Sequence, residues 1–168
     1  MSSTVTQVLN ILNDGTSHSG IDIGNALGIS RTAVWKVVKR LHKYNIDIQS
    51  KPQGYQLKEP LLLLDQKKIE PFLSDKKISL EIFESLESTS HYLKSKMPFK
   101  TQTICLSEYQ SKGRGRLGRK WVSPFGRNIY CSFSGVFKKD IGEMSGLSLV
   151  VAILTANALE ACNPKIKI

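Results

Sequence analysis

Residues 110–121 read Gln-Ser-Lys-Gly-Arg-Gly-Arg-Leu-Gly-Arg-Lys-Trp, a stretch whose residue types and spacing could do chemistry. Lys112, Arg114, Arg116, Arg119 and Lys120 place five positive charges within nine residues, and Gly113, Gly115 and Gly118 space them. Glycine lets the backbone come close to a ligand and turns N–H groups toward an anion. Arginine adds fork-shaped donors that match phosphate oxygens, and Trp121 offers a ring on which a base can stack. The pattern suits an anion clamp. It is not a P-loop, because Gly-x-x-x-x-Gly-Lys-Ser/Thr is absent. The glycine spacing matches the dinucleotide fingerprint by count only, since arginines crowd the place where a helix N-terminus should take the pyrophosphate and no helix follows. A solvated basic loop would carry the same residues, and so would an arm entering a minor groove, although Leu117 stands where such an arm would have proline.

The elements around this loop read as an α/β domain. Residues 66–73 suggest a helix, and Ile78 to Phe83 alternates as a strand. Ser88, Thr89 and Ser90 open a helix through Leu93 to Met97, ended by Pro98. Ile104 to Tyr109 reads as a buried strand, and Ile129 to Phe137 as another with Ile129, Cys131 and Phe133 on one face. Ser145 to Cys162 is apolar almost all round, which predicts a buried helix. Lys165 to Ile168 alternates like a new strand. A strand halting there, after a helix that needs cover, predicts an incomplete domain.

The first sixty residues read differently. Thr4 with Gln7 suggests a capping box before the stripe Val5, Val8, Leu9 and Leu12. Ser19 with Asp22 starts a second helix that Gly28 breaks. Ser30 caps a third, with Val34, Val37, Val38 and Leu41 facing inward and Arg31, Thr32, Trp35, Lys36, Lys39 and Arg40 outward. This is a helix-turn-helix pattern, with the outward face of the third helix placed to read base edges and neutralise phosphates. Residues 46–48 and 55–57 alternate on either side of a turn at Lys51 to Gly54, which predicts a hairpin wing with a basic tip. A three-helix packing module would share much of this pattern. Trp35 suits packing against the wing as well as base contact.

Composition bounds these readings. A chain of 168 residues is one domain or two small ones at about 150 residues per domain. With 40% apolar and 23% charged residues it is an ordinary globular sequence. The net charge of +10 predicts anionic partners. Residues 1–60 carry only +3 of it and residues 61–168 carry +7, so the excess lies mostly outside the DNA reader. Three scattered cysteines fit neither a metal knuckle nor a disulfide framework, the N-terminus is too polar for a signal peptide, and no apolar run suits a membrane span. These features predict a reducing, cytoplasmic setting without membrane attachment.

The winged helix-turn-helix, the strand leading to Glu87-Ser88-Thr89-Ser90, and the stretch from Tyr109 to Trp121 together closely resemble the bifunctional biotin protein ligases that also repress the biotin operon. Ser123 to Tyr130 and the Gly146 to Val150 helix start resemble the same family, so the likeness runs through nearly the whole chain. The resemblance implies an α+β fold: a winged helix-turn-helix domain over residues 1–60, then residues 61–168 as the first part of a mixed α/β ligase catalytic domain with a class II synthetase-like sheet. It implies activation of biotin with ATP to biotinyl-5′-adenylate, then transfer to a lysine of the biotin carboxyl carrier domain of acetyl-CoA carboxylase. Ser88, Thr89, Ser90 and Gln110 fall where the family holds biotin. Arg114, Gly115 and Arg116 match the loop closing over biotin and adenylate, with Arg114 and Arg116 as the catalytic cations. Arg119 and Trp121 fall at the adenylate. Ser30, Arg31, Thr32, Trp35, Lys36, Lys39 and Lys51 are the expected operator-DNA contacts. Magnesium is expected with ATP, no metal site on the protein, and a homodimer on ligand binding.

Two departures qualify this expectation. Ser90 stands where asparagine is common. The family's Lys-Trp-Pro-Asn-Asp motif should follow Ile168 and is absent, as are the rest of the sheet and the small C-terminal β-barrel, which predicts a fragment weak or inactive alone. Rival readings are a winged-helix regulator whose second domain senses a ligand without catalysis, a lipoate or octanoyl transferase (which lacks the arginine–glycine loop), and a nucleic-acid protein without a small-molecule site.

Overall fold

A computed structural model describes residues 3–73, 77–136 and 141–163. Helix α1 (Thr4–Leu12) buries Val5, Val8, Leu9 and Leu12. Its cap is Ser3 rather than Thr4: Ser3 has the extended backbone a cap needs, and its Oγ accepts from the Thr6 N–H at 3.2 Å. The capping box expected at Thr4 and Gln7 is therefore displaced by one residue. Helix α2 (Gly20–Leu27) is capped as expected by Ser19, whose Oγ accepts from the Asp22 N–H at 3.0 Å and donates to its carboxylate at 2.7 Å. Helix α3 (Arg31–Lys43) is capped by Ser30 and buries Val34, Val38 and Leu41, with Val37 half-buried.

Strands β1 (Ile48–Lys51) and β2 (Gly54–Leu57) form the wing, antiparallel, with Lys51 opposite Gly54. The first strand begins at Ile48, later than the alternation at 46–48 suggested, because pairing with β2 runs into the turn. Gly54, at φ +136, packs on the segment leading into α2: a Cβ there would lie 2.1 Å from the His18 carbonyl oxygen. That contact lets His18 and Tyr55 exchange backbone hydrogen bonds at 2.8 and 2.9 Å, so the wing is pinned to the helices.

After a single turn of helix, α4 (Gln66–Ile69), a three-stranded sheet follows in the order β3–β4–β5. Strand β3 (Ser79–Phe83) runs parallel to β4 (Thr103–Ser107), with α5 (Thr89–Ser95) as the crossover, and β5 (Tyr130–Ser134) is antiparallel to β4. Ser88 caps α5. Register places Glu81, Cys105 and Ser132 abreast. This face packs on α5: Tyr92 donates to Glu81 at 2.6 Å, and the Phe83 and Tyr92 rings meet edge-on at 4.7 Å.

Strand β5 corrects one expectation. Tyr130 and Ser134 are buried, while Ile129, Cys131 and Phe133 are exposed. The side of the sheet facing α5 is polar, and Ser132 is drawn to it by a hydrogen bond. Apolar alternation marked the opposite face.

The core of the winged head extends into segments that flank the sheet. Val8, Leu9, Leu12, Ile23, Val34 and Leu41 are fully buried, and the cluster continues through Ile46, Ile48 and Leu57 to Leu61 and Phe125. Each such side chain contributes roughly 1.5–3 kcal/mol by leaving water. Asn13 adds a two-way hydrogen bond with the Leu61 backbone, 2.7 Å in each direction. The chain divides into a compact unit ending at Gly135 and a second from Val136, so the boundary expected near residue 60 lies inside the first.

In the second unit α6 (Leu147–Cys162) is apolar on every side, as read, but none of its described side chains is buried. The cover expected for so apolar a helix is not supplied by the described residues. The strand expected at 165–168 lies outside them. No helix among them is long and apolar enough to cross a membrane.

Candidate functional site

The residues expected to hold a small molecule gather at the carboxyl ends of β3 and β4, where open α/β sheets place ligands. Beyond β3 the chain reaches Leu86, which forms a parallel bridge with Gln110. The Ser111 and Lys112 N–H groups donate to the Leu86 and Glu87 carbonyls at 2.9 and 2.8 Å. This pairing sets Ser88 and Thr89 beside Gln110. Gln110 Oε1 accepts from the Thr89 N–H at 2.8 Å and from Thr89 Oγ1 at 3.2 Å. Thr89 Oγ1 also lies 2.8 Å from Ser132 Oγ. Thr89 and Gln110 are buried, whereas Ser90 is exposed and makes no side-chain hydrogen bond among the described residues.

Ser132 was missed from sequence. Its signal was a serine alternating with apolar residues in a strand otherwise read as buried, where a polar side chain needs a partner.

Beyond Lys112 the chain forms a hairpin. Arg114 bridges Lys120 antiparallel, and the tip is a turn in which the Arg119 N–H donates to the Arg116 carbonyl at 3.2 Å. Leu117 at φ 56, ψ 35 and Gly118 at φ 72 are both left-handed, which is the two-residue turn that matches strand twist. A Cβ on Gly113 would lie 2.2 Å from the Trp121 ring, and one on Gly115 would lie 2.4 Å from the Arg119 carbonyl oxygen. Gly113 thus has a side-chain packing reason and Gly115 a backbone reason within the hairpin, besides any approach to an anion.

The charges are distributed unevenly. Lys112 Nζ pairs with Glu87 Oε1 at 2.5 Å, and that hydrogen bond holds the Glu87 carboxyl below its ordinary range. Arg114, Arg116, Arg119 and Lys120 are exposed and have no side-chain hydrogen bond or ion pair among the described residues. Trp121 is half exposed above Gly113. Four uncompensated cations therefore stand on a hairpin rooted at the Thr89–Gln110–Ser132 cluster, an arrangement that attracts a phosphate-bearing ligand. Burial pushes the Cys105 thiol up to about 12, which leaves it inert as a nucleophile. Burial also pushes up the Glu108 carboxyl, whose Oε1 accepts from the Leu64 N–H at 2.5 Å.

The second surface lies on the head. Arg31, Thr32, Trp35, Lys36 and Lys39 are exposed along α3, while Ser30 is engaged as its cap. Lys39 Nζ sits 5.1 Å over the Trp35 ring. Arg31, Trp35, Lys39 and His42 line one side of a groove of about 630 Å³, with Lys51 and Tyr55 of the wing on the other. Lys51 also donates to Gln56. Arg40, read as part of the same outward face, instead pairs with Glu84 at 2.7 Å.

Comparison with known proteins places both regions. Residues 4–56 match an HTH domain family, and residues 82–167 match the biotin/lipoate A/B protein ligase family. The chain is 37% identical over 154 residues to the bifunctional ligase/repressor BirA of Salmonella typhimurium strain LT2, covering 90% of this chain and 48% of that protein. It is 37% identical over 155 residues to the protein of that name from Escherichia coli K12, covering 91% and 48%. With the Bacillus subtilis 168 protein the identity is 28% over 150 residues, covering 84% and 45%. The chain spans about half the length of the curated relatives it matches.

Proposed function

The chain belongs to the biotin/lipoate A/B protein ligase family, and from that premise we propose that it serves the activation of biotin by ATP to biotinyl-5′-adenylate, the transfer of biotin to a lysine of the carrier domain of acetyl-CoA carboxylase, and ligand-dependent repression through operator DNA. The observation that carries this reading is the hairpin of four uncompensated cations rooted at a buried cluster of hydroxyls and one amide. Biotin presents a cyclic urea, with one carbonyl acceptor and two N–H donors, and a carboxylate. Ser88 Oγ, which accepts from the His91 N–H, keeps its proton to donate, whereas Thr89 donates to Gln110 and Ser132 to Thr89, so those two offer lone pairs. Gln110 spends its oxygen on Thr89, leaving Nε2 free to donate.

The biotin carboxylate oxygen must attack the α-phosphate as the α–β phosphoanhydride bond breaks and pyrophosphate leaves, bringing two anions together while charge builds on the transferring group. Arg114 and Arg116, fixed on the hairpin, lower that barrier, and Arg119 and Trp121 take the adenylate. Removing one donor of this kind costs roughly 3 kcal/mol in the transition state. Like charges and an exposed tip favour an open empty hairpin that the adenylate neutralises and orders. Magnesium would come with the ATP and would supply further charge neutralisation at its phosphates. On the head, Arg31, Thr32, Trp35, Lys36, Lys39 and Lys51 form the operator surface, used twice by a homodimer on a two-fold site. The setting is cytoplasmic.

The deciding experiment incubates the full-length protein with biotin, ATP and a carrier domain and reads the carrier by mass. One added biotin is expected, and an unmodified carrier overturns the proposal. In the same protein Arg116→Ala slows adenylate formation by about 100-fold; an unchanged rate removes Arg116 from this role.

A further inference from the structure

Glu84, just past the end of β3, belongs to the sheet, yet every side-chain partner it has among the described residues comes from the winged head. Arg40 Nη2 lies 2.7 Å from its Oε1, the Tyr44 hydroxyl donates to the same oxygen at 3.3 Å, and Ser3 Oγ donates to Oε2 at 2.5 Å. The side chain is only 12% exposed. Arg40 also donates to the Tyr44 hydroxyl from Nε and Nη2, at 3.3 and 3.2 Å, so the four groups form one network. Ser3 is at once the cap of α1, and Arg40 and Tyr44 sit at the C-terminal end of α3.

A second contact runs beside this network. The Tyr44 ring lies 4.9 Å from both the Tyr109 and the Phe125 rings, tilted on the first and stacked on the second. Tyr109 directly precedes Gln110, Glu84 stands four residues before Ser88, and the Leu86 N–H donates to the Tyr109 carbonyl at 3.0 Å. Both routes from the end of α3 therefore reach the two segments that hold the Thr89–Gln110 cluster. Arg40, although half exposed, is paired with Glu84, so its charge serves this junction.

We propose that Glu84 and Tyr44 are positioning residues that tie the recognition helix to the ligand cluster within one chain, so that ordering of residues 84–90 and 109–112 by a bound ligand stiffens the end of α3 without a second copy. A ligand shifts such an element only through contacts that differ between the two states, and on this proposal that part falls to these two junctions. The inference rests on the biotin reading of the cluster.

Amide hydrogen exchange of the full-length protein with and without biotin, at concentrations where it is monomeric, separates the two. In the wild type, exchange slows in residues 86–90 and 109–112, and by about fivefold in residues 38–44, the lower end of ordinary coupling. In Glu84→Gln the cluster still responds to biotin and the response of residues 38–44 falls by at least half. Arg40→Gln, at an exposed position, provides the same reading should the first variant fold poorly. A purely structural role for Glu84 would raise exchange in α3 equally with and without biotin, leaving the ligand-dependent difference intact, and that result overturns the proposal. So does a wild-type cluster that responds while α3 does not, with the biotin reading left standing. No response at the cluster overturns the biotin reading and this proposal with it.

Discussion

Leu117 holds a left-handed backbone with its side chain almost fully in solvent, so it carries the conformational cost and gains no burial in return. An L-residue there costs roughly 1–2 kcal/mol, and asparagine tolerates the conformation far better. Leu117→Asn should therefore raise stability by about 1 kcal/mol in thermal unfolding; a lowered Tm counts against the turn described. Glu108 makes the opposite kind of statement. Burial raises its folded-state pKa above the unfolded value, so between the two the native state binds more protons and stability falls as pH rises through that window. Glu108→Gln removes that loss while keeping an acceptor for the Leu64 N–H. The variant should gain in Tm over the wild type at pH 7 and gain less at pH 4.5. An equal difference at both pH values removes the linkage.

The elements show how backbone demands are met by single residues. Ser30 caps α3 through the Ala33 N–H at 3.1 Å, and Ser30→Ala should cost about 1 kcal/mol, measured by urea unfolding. In the hairpin the closest constraint is Gly113, under Trp121. Gly113→Ala has no room without moving the indole, so Trp fluorescence should shift as the ring leaves its seat and adenylate retention should fall; an unchanged spectrum contradicts the packing. Much of this was legible beforehand. Serine caps at 19, 30 and 88, the apolar faces of the first three helices, and the existence of β3 and β4 follow from local periodicity and local hydrogen-bonding chemistry, although β4 ends at Ser107, two residues before the end read from sequence. The displaced cap at Ser3 and the inward serines of β5 did not, because each depends on which of two adjacent registers a distant neighbour rewards.

At the scale of the molecule, the winged head and the sheet are joined by more than a linker. Phe125, 2% exposed, lies in the head's own apolar cluster although it belongs to the segment after the hairpin. Phe125→Ala should cost roughly 3–5 kcal/mol and lower head and sheet together in one transition when followed by urea unfolding. Two separate transitions would show that the halves fold independently. Sequence alone determined the winged head, the cationic glycine-spaced segment between two strands, the serine–threonine segment before α5 and the family resemblance, since these rest on residue types at short spacing. Only the tertiary structure decided that Ser132 completes the Thr89–Gln110 cluster, that Arg40 of α3 pairs with Glu84, and that the Tyr44 ring meets both Tyr109 and Phe125. Those contacts join residues about 20 to 80 positions apart. Their partners are selected by shape and charge once the chain has closed on itself, and a short-range pattern holds no record of that selection.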